Sequence, residues 1–425
     1  MADTDAERAL AELFASRAIN FTDRPLDATR TDAFNRFIKA GLPHRRVEEY
    51  KYTDIRARLR TLPPASGEAT PDDVTEALSK HPATVDDAAR IVIANGRFFG
   101  TDGALPDGVS IASILSPEAP TESVGKLVSA STDPLTLANV GLFDGGAVIH
   151  VTKAVETPLE IVHLVTSDAL VMGRLAVFVD AGASATIIER TVASEDTVTN
   201  ALAEIFVEAT ARLSCVRRIE GTAGKGAAFS SHHLHLGANA QLEHLTITTG
   251  TGLARNQAFC HVAGDDAEAN FRAATVALGA RHADNTLVVR HDALNSRSSE
   301  VFRSAVGDTG VSVVQGRIIV DPGAQKTDAK MMSNALFLDE TGEVVNKPEL
   351  EIFADDVQCG HGATSGDLDD DPVFYLRARG IPEATARRLL VEAFLIEALE
   401  RVEHEGLAEA LTTTLRAAIG AEGDA

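Results

Sequence analysis

A thiol and an imidazole lie two residues apart near the C-terminal end of the sequence, in the segment Cys359-Gly360-His361. On an extended chain, residues i and i+2 face the same way, so both side chains can meet one ligand. A thiolate and a neutral imidazole together suit soft or borderline iron. An iron–sulfur cluster commonly needs four ligands, so a cluster here would require others from another chain. The structural alternative is a buried thiol beside a hydrogen-bonded histidine.

Four consecutive positions, 232–235, carry the sequence His-His-Leu-His. On a strand, His233 and His235 point to one face, which is how a two-histidine metal site begins. A third ligand would have to come from a neighbouring coil, where His244 and His261 are the candidates. This pattern makes a metal-dependent, cupin-like enzyme the alternative function, although the next acidic residue does not follow the usual cupin spacing. The structural interpretation is a polar outer face.

Motifs of other enzymes are absent from the sequence. It has no GxxxxGK[ST] loop, no GxGxxG after a strand, no GxSxG elbow and no HExxH, so we expect neither catalysis nor nucleotide binding by this chain. Its three cysteines, Cys215, Cys260 and Cys359, form no CxxC pair, which argues against disulfides and a self-contained zinc site. With no Trp and 3 Tyr, it lacks the aromatic platforms of a carbohydrate-active β-helix enzyme.

The charge balance restricts the possible partners. A formal net charge of -23 provides no basic surface for nucleic acid and disfavours anionic membranes. The first residues, Met1 to Asp5, are acidic and do not form a secretory signal. No apolar stretch approaches the length that spans a bilayer. We therefore expect a cytoplasmic protein.

The region from about Ala147 to Val357 shows the pattern of a repeat structure. Short runs rich in Val, Ile, Leu and Thr alternate with turns, and four of these turns begin 27, 28 and 27 residues apart. A period of this size predicts a β-solenoid, whose coils bury their inward faces only by stacking. A β-sandwich with accidental spacing is the alternative. The four turns are Gly182-Ala-Ser-Ala185, Ala209-Thr-Ala-Arg212, Gly237-Ala-Asn-Ala240 and Gly264-Asp-Asp-Ala267.

Helical patterns flank this region on both sides. We expect an N-terminal helical or mixed domain at 1–140, a β-helix core at 141–365 and a C-terminal helical domain at 366–425. The flanking helices are expected to cap the open ends of the solenoid. One C-terminal helix carries an apolar stripe that could receive a partner, including Leu389, Leu390 and Phe394.

Several segments together resemble the SufD family, the scaffold subunits of the SUF iron–sulfur assembly system. The likeness covers essentially the whole chain, although Trp is more usual at the place of Tyr50. The sister SufB subunits carry His-Glu-Ala where this chain has His361-Gly362-Ala363, and they lack the preceding cysteine. The matching segments are Arg46 with Glu48 to Thr53, Asn334 to Leu336, Pro348 to Ile352, Asp355 to Thr364, Phe374 to Leu376 and Arg379 to Ile381.

The resemblance implies a mainly β fold, with a right-handed parallel β-helix between the two helical regions. It implies that the C-terminal helices dock a SufC-like ABC ATPase and that the last β-helix strands pair with a SufB-like subunit. A transient iron–sulfur cluster would form at that interface, with His361 as a ligand and Cys359 as its motif neighbour. A homodimer is possible when the chain is isolated. The family complex is associated with reduced flavin, for which this sequence shows no motif.

Overall fold

The protein folds as a parallel β-solenoid with helices packed on its two faces, which confirms the predicted fold class. The computed structural model describes residues 4–21, 25–116, 119, 123–192, 196–221, 224 and 226–420. Each turn of the solenoid contributes one strand to a 10-stranded sheet and one to a 9-stranded sheet. The division at 140 and 365 stays a prediction. Residues 1–3 and 421–425, at the ends of the two predicted flanking domains, lie outside the described residues.

The helices and strands of the described residues are numbered in chain order. The helices are α1 (Asp5–Ala18), α2 (Pro25–Ala40), α3 (Ile55–Arg58), α4 (Pro71–Lys80), α5 (Pro134–Leu142), α6 (Asp370–Arg377), α7 (Glu383–Ile396) and α8 (Glu405–Gly420). The strands are β1 (Ala89–Ala94), β2 (Arg97–Asp102), β3 (Val109–Ser113), β4 (Gly145–Val151), β5 (Leu159–Leu164), β6 (Leu170–Val179), β7 (Ser184–Val192), β8 (Val198–Val207), β9 (Arg212–Ile219), β10 (Ala227–Leu236), β11 (Gln241–Thr248), β12 (Leu253–Val262), β13 (Glu268–Ala277), β14 (His282–His291), β15 (Arg297–Val306), β16 (Val311–Val320), β17 (Asp328–Phe337), β18 (Glu343–Ile352) and β19 (Gln358–Asp367).

The two sheets follow simple orders. The 10-stranded sheet runs β19-β17-β15-β13-β11-β9-β7-β5-β1-β2, and the 9-stranded sheet runs β18-β16-β14-β12-β10-β8-β6-β4-β3. Neighbours are parallel except for β2 on β1 and β3 on β4, which are antiparallel. The described C-terminal end of the solenoid is therefore β18 and β19, each paired on one side only.

The predicted repeat is confirmed at the corners before the strands of the 10-stranded sheet. In successive coils, Gly182, Thr210, Asn239 and Asp266 have φ between 56° and 75°, and each lies two residues before a strand. This left-handed conformation suits Gly and is tolerated by Asn and Asp. The corner therefore recurs with a fixed backbone shape although its residue type changes. That explains why the sequence shows the spacing more clearly than any one motif.

The interior is built from small and branched side chains. On β6, Leu175, Val177 and Val179 point inward, and they stack on Ala203, Ile205 and Val207 of β8. Ala176 lies on the opposite face of β6, because side chains alternate along a strand. These side chains are small enough to fit between closely stacked coils, and the sequence contains no Trp, the largest side chain.

The flanking helices cover the outer faces of the sheets, not the C-terminal end, so the prediction that they cap the open ends is wrong there. Helices α1, α2 and α5 bury apolar residues with the outer face of the 9-stranded sheet, including Val198 and Phe229. Helices α7 and α8 do the same for the 10-stranded sheet, where they meet Val216 and Ile247. These outward residues of the strands are apolar, and removing their surface from water stabilises the packing of the helices on the sheet faces.

The N-terminal segment from Glu48 to Thr53 is tied to the outer face of the 9-stranded sheet. Tyr50 is fully buried, its hydroxyl donates to Asp133 Oδ2 over 2.5 Å, and the Arg255 guanidinium lies 4.0 Å from its ring centroid. Arg255 also donates to the Glu49 carbonyl and pairs with Asp284. These residues therefore anchor the N-terminal region. Among the described residues, no helix combines the length and apolar character that crossing a bilayer requires.

Candidate functional site

The described C-terminal end of the solenoid presents two long unpaired strand edges side by side. Among the described strands, β18 pairs with β16 alone and β19 pairs with β17 alone. Each edge strand is 10 residues long, and their side chains are exposed or half-buried. Backbone N–H and C=O groups on such edges can pair with another chain. This end of the molecule therefore offers a surface for a second protein.

Cys359 and His361 lie on this end, in strand β19. They are in register with Ala329 and Met331 of β17, which are buried in the solenoid interior. Both side chains thus continue interior columns, as the i, i+2 spacing predicts. No described strand stacks over them, so Cys359 is half-buried and His361 is exposed. The pair is neither sealed inside nor placed on an outer face.

The environment of Cys359 keeps its sulfur protonated. Burial raises the pKa of this thiol above its ordinary value, and the nearby Asp328 and Glu300 raise it further, opposed by a backbone hydrogen bond at Ala329. A cation beside the sulfur would reverse this effect, because it stabilises the thiolate. In the isolated chain, Cys359 is therefore a neutral thiol that a metal ion must deprotonate in order to bind.

Apolar side chains surround the open end. Phe353, directly after β18, is 61% exposed, and Ile352 and Met332 are also large, exposed hydrophobic residues. Single exposed apolar residues are ordinary, but a group of them beside two unpaired edges is typical of a protein interface. The Met332 side chain lies directly against Gly362 of β19, where a Cβ would be 2.8 Å from the Met332 methyl group.

Family models match nearly all of the described chain. The SufBD protein N-terminal region matches residues 4–161, and the SufBD core domain of SUF system FeS cluster assembly matches residues 162–394. The chain belongs to the SufBD family. This confirms the resemblance inferred from the matching segments of the sequence. The protein is a SufD homologue and belongs to a family of iron–sulfur cluster assembly proteins.

Individual relatives agree with this membership. SufD of Escherichia coli (strain K12), an iron–sulfur cluster assembly protein, is 28% identical over 87% of this chain and 88% of that protein. A SufBD family iron–sulfur cluster assembly protein of Synechocystis is 26% identical over 85% of this chain and 84% of that protein. SufD of Bacillus subtilis is 25% identical over 68% of this chain and 67% of that protein.

The C-terminal helices of this SufBD protein hold the residues predicted to dock an ATPase. Leu389 is 43% exposed, whereas Leu390 and Phe394 are half-buried. Phe394 packs toward the solenoid, with the Arg303 guanidinium 5.5 Å from its ring centroid. On the neighbouring helix α6, Phe374 and Tyr375 are 72% and 56% exposed. The outward apolar surface of this domain is therefore wider than the predicted stripe.

The histidines at 232–235 are divided between two environments. His233 is buried, its ring stacks on Phe259 at 4.8 Å, its Nε2 lies 3.2 Å from Thr136 Oγ1 of α5, and burial lowers its pKa to about 3. His235 is half-buried and neighbours His261. His244 does not join them, because it lies inside the solenoid. The prediction of His244 as a third ligand for this pair is wrong.

The interior holds a polar cluster that the sequence analysis missed. Cys215, His232 and His244 come from β9, β10 and β11 and place ligand atoms within 4.8 Å of one another. Within the part of the chain that the structure describes, they form the one group of three or more such residues that could share a metal ion. The available signal is the repeat itself, which aligns Cys215 with His244 one coil later.

Proposed function

We propose that this chain is a non-catalytic scaffold subunit that offers Cys359 and His361 to a transient iron–sulfur cluster assembled with a SufB-like subunit. The observation that carries the proposal is the position of the pair, at the uncovered end of interior columns in a SufBD protein. One thiol and one imidazole are too few for a cluster, so the remaining ligands come from the partner. The proposed complex works in the cytoplasm.

The partner subunit would pair with β18, β19 or both. Extended edges of 10 residues give many main-chain hydrogen bonds, and the exposed Ile352 and Phe353 supply apolar contact area beside them. A second copy of this chain presents the same surface. The proposal therefore includes a homodimer in the absence of the partner, which the SufB-like subunit displaces.

A SufC-like ATPase would dock on the C-terminal helices. The proposed contact comprises Leu389 with its half-buried neighbours Leu390 and Phe394, extended by Phe374 and Tyr375 of α6. Because this surface lies on the outer face of the 10-stranded sheet, both partners can be bound at once. Nucleotide would be bound by the ATPase, and not by this chain.

The test is the substitution His361→Ala in the complex with SufB-like and SufC-like subunits. The imidazole is exposed, so complex formation should be unchanged, as measured by size-exclusion chromatography. Cluster build-up on the purified complex, followed by absorbance and by acid-labile sulfide, should fall. The matched control is His261→Ala, which removes a partly exposed imidazole from an outer strand face.

Unchanged cluster formation in His361→Ala would refute the ligand role of this residue. Loss of the complex itself would instead assign His361 to the interface alone. The parallel substitution Cys359→Ala separates the two members of the pair, because only a ligand or sulfur carrier should lower cluster yield without changing subunit composition.

A further inference from the structure

The cluster inside the solenoid has the composition of a metal site. His232 Nδ1 and His244 Nε2 are 3.0 Å apart, and the ligand atoms of Cys215, His232 and His244 all lie within 4.8 Å of one another. The three side chains are between 1% and 3% exposed. Ligands around one tetrahedral ion, with bonds of about 2.0–2.3 Å, lie roughly 3.3–3.7 Å apart. Closure on an ion therefore needs the two imidazole nitrogens to separate slightly and the longer distances to contract.

A carboxylate orients one of the imidazoles. Glu189 Oε2 lies 2.7 Å from His232 Nε2, and its other oxygen lies 2.9 Å from His163 Nε2. With Nε2 donating to this carboxylate, His232 presents an unprotonated Nδ1, which accepts a hydrogen bond from His244 Nε2. A carboxylate behind a histidine is the usual arrangement of a metal-binding imidazole.

A small space and an unused donor adjoin the cluster. A cavity of about 20 Å³ is lined by both His244 and Arg217, which is room for about one water. Arg217 is buried and donates to Ser230 Oγ and Thr246 Oγ1, but its Nε has no partner among the described residues. The space can hold one further small ligand, and Arg217 favours that ligand being an anion.

Neighbouring coils show that the position does not require polar residues. In the interior column that contains Cys215 and His244, the preceding residue is Ile187 and the following residue is Phe271. Apolar side chains therefore fit this column, and buried polar groups are generally no more stabilising than well-packed apolar ones. A bound ion gives these polar residues a stabilising role.

We propose that Cys215, His232 and His244 bind one borderline divalent transition-metal ion inside the solenoid, with water or a small anion as the fourth ligand. The ligand set of one thiolate and two imidazoles suits Zn²⁺ or Fe²⁺. On binding, the Cys215 S–H loses its proton to solvent and a metal–sulfur bond forms. His244 moves its proton from Nε2 to Nδ1, so about one proton is released for each ion when the fourth ligand is water.

This site is separate from the proposed cluster site. Strand β11 lies four strands from β19 in the same sheet, or roughly 19 Å at the usual strand spacing. The inference therefore goes beyond the proposed function and can fail without affecting it.

The experiment uses the full-length chain, freed of metal with a chelator and titrated with Co²⁺ as a spectroscopic probe. We expect one equivalent to bind and to produce a thiolate-to-cobalt absorption band, with a matching rise in melting temperature. Competition with Zn²⁺ and, without oxygen, with Fe²⁺ should then distinguish the two ions, with Zn²⁺ binding more tightly. Because the site is buried, Co²⁺ is added both to the folded chain and during refolding.

Variants test the assignment. Cys215→Ala should abolish the band, whereas Cys260→Ala, which removes an equally buried thiol of the same interior, should retain it. Glu189→Gln should keep the band but weaken the affinity by about 10–100-fold, as expected for a positioning residue. If Cys215→Ala does not fold by circular dichroism, His244→Gln replaces it.

Three results would overturn the inference. They are the absence of Co²⁺ binding by both routes, a band that survives in Cys215→Ala, and a band that disappears in Cys359→Ala, which would move the ion to the open end. In the first case the three residues form a purely structural hydrogen-bonded network.

Discussion

Glu300 provides a quantitative test of the solenoid interior. It lies on β15 with 0% exposure, in the same inward column as Met331 and, one strand further, His361. Burial raises the pKa of this carboxyl group from 4.5 to about 8, and the Ser298 hydroxyl opposes the shift only in part. We therefore expect Glu300 to be protonated in the native protein at neutral pH.

The sign and size of the effect on stability follow from this pKa. Below about pH 4.5, both the native and the unfolded carboxyl groups are protonated, and the contribution of Glu300 is constant. Between pH 4.5 and about 8, only the unfolded chain loses the proton, so the free energy of unfolding falls by about 1.4 kcal/mol for each pH unit. The total loss is roughly 5 kcal/mol, and it is complete above the native pKa.

Glu300→Gln removes this pH dependence while preserving the shape of the side chain. Relative to the natural protein, the variant should gain roughly 3–4 kcal/mol in free energy of unfolding between pH 5 and pH 8. Urea unfolding at several pH values and constant ionic strength measures the difference. The control is Glu340→Gln, which makes the same change of side chain at an exposed position. Parallel profiles for Glu300→Gln and the natural protein would refute a neutral buried carboxyl group.

Three further substitutions test the anchor, the coil contacts and the open end. Tyr50→Phe keeps the ring against Arg255 but loses the hydrogen bond to Asp133, so the free energy of unfolding should fall by about 1–3 kcal/mol in urea titrations. The control Tyr375→Phe, at an exposed position, should have little effect, and equal unfolding midpoints for the two variants would contradict the anchoring role of Tyr50. Gly264→Ala places a Cβ 2.0 Å from the Ala238 nitrogen and should lower the free energy of unfolding by about 1–3 kcal/mol in the same assay. The control Gly67→Ala, whose Cβ would meet no described atom within 4 Å, should leave the stability unchanged, and an equally small effect of Gly264→Ala would refute the close contact between coils. Phe353→Asp should weaken binding to the SufB-like subunit about tenfold or more, as measured by analytical ultracentrifugation. The control Ile19→Asp, at an 82% exposed position far from Phe353 in the sequence, should not weaken it, and unchanged affinity of Phe353→Asp would exclude Phe353 from the interface.

The repeat was predictable because one corner shape recurs in successive coils, from the corner before β7 to the corner before β17. Turns at Gly182, Ala209, Gly237 and Gly264 show a period of 27 or 28 residues, and from β7 to β19 the strands of the 10-stranded sheet begin 27 to 31 residues apart. Each corner must return the chain to the same sheet, so its length varies little. A sandwich has no such requirement, which is why the spacing favours the solenoid.

The interior cluster was not predictable from the histidine pattern alone. Adjacent residues on a strand point to opposite faces, and a shift of one residue exchanges the buried and outer sets. The spacing of His233 and His235 indicates that they share a face, and they do. It does not show that His232, which precedes them on β10, is the residue that faces inward and contacts His244. That distinction requires the register between coils.

The C-terminal helices show a related limit of prediction from sequence. Their apolar stripe correctly indicates packing, but a stripe does not specify which surface it covers. The deciding property lies elsewhere in the chain, in outward apolar residues such as Val216 and Ile247 on distant strands. Because these residues form a broad apolar face, the helices pack on them and leave β18 and β19 uncovered.

The two ends of the solenoid differ in a way that favours a closed complex over a fibre. The C-terminal edges, β18 and β19, are each 10 residues long, whereas the strands at the other end, β2 and β3, have 6 and 5 residues and run antiparallel to their neighbours. A copy stacked head to tail would leave about half of each long edge unpaired, and that arrangement could continue without limit. Pairing of two C-terminal ends instead satisfies edges of equal length and leaves no further edge of that kind. A partner with the same type of open end, such as the proposed SufB-like subunit, would therefore bind once and bring its own ligands to face Cys359 and His361.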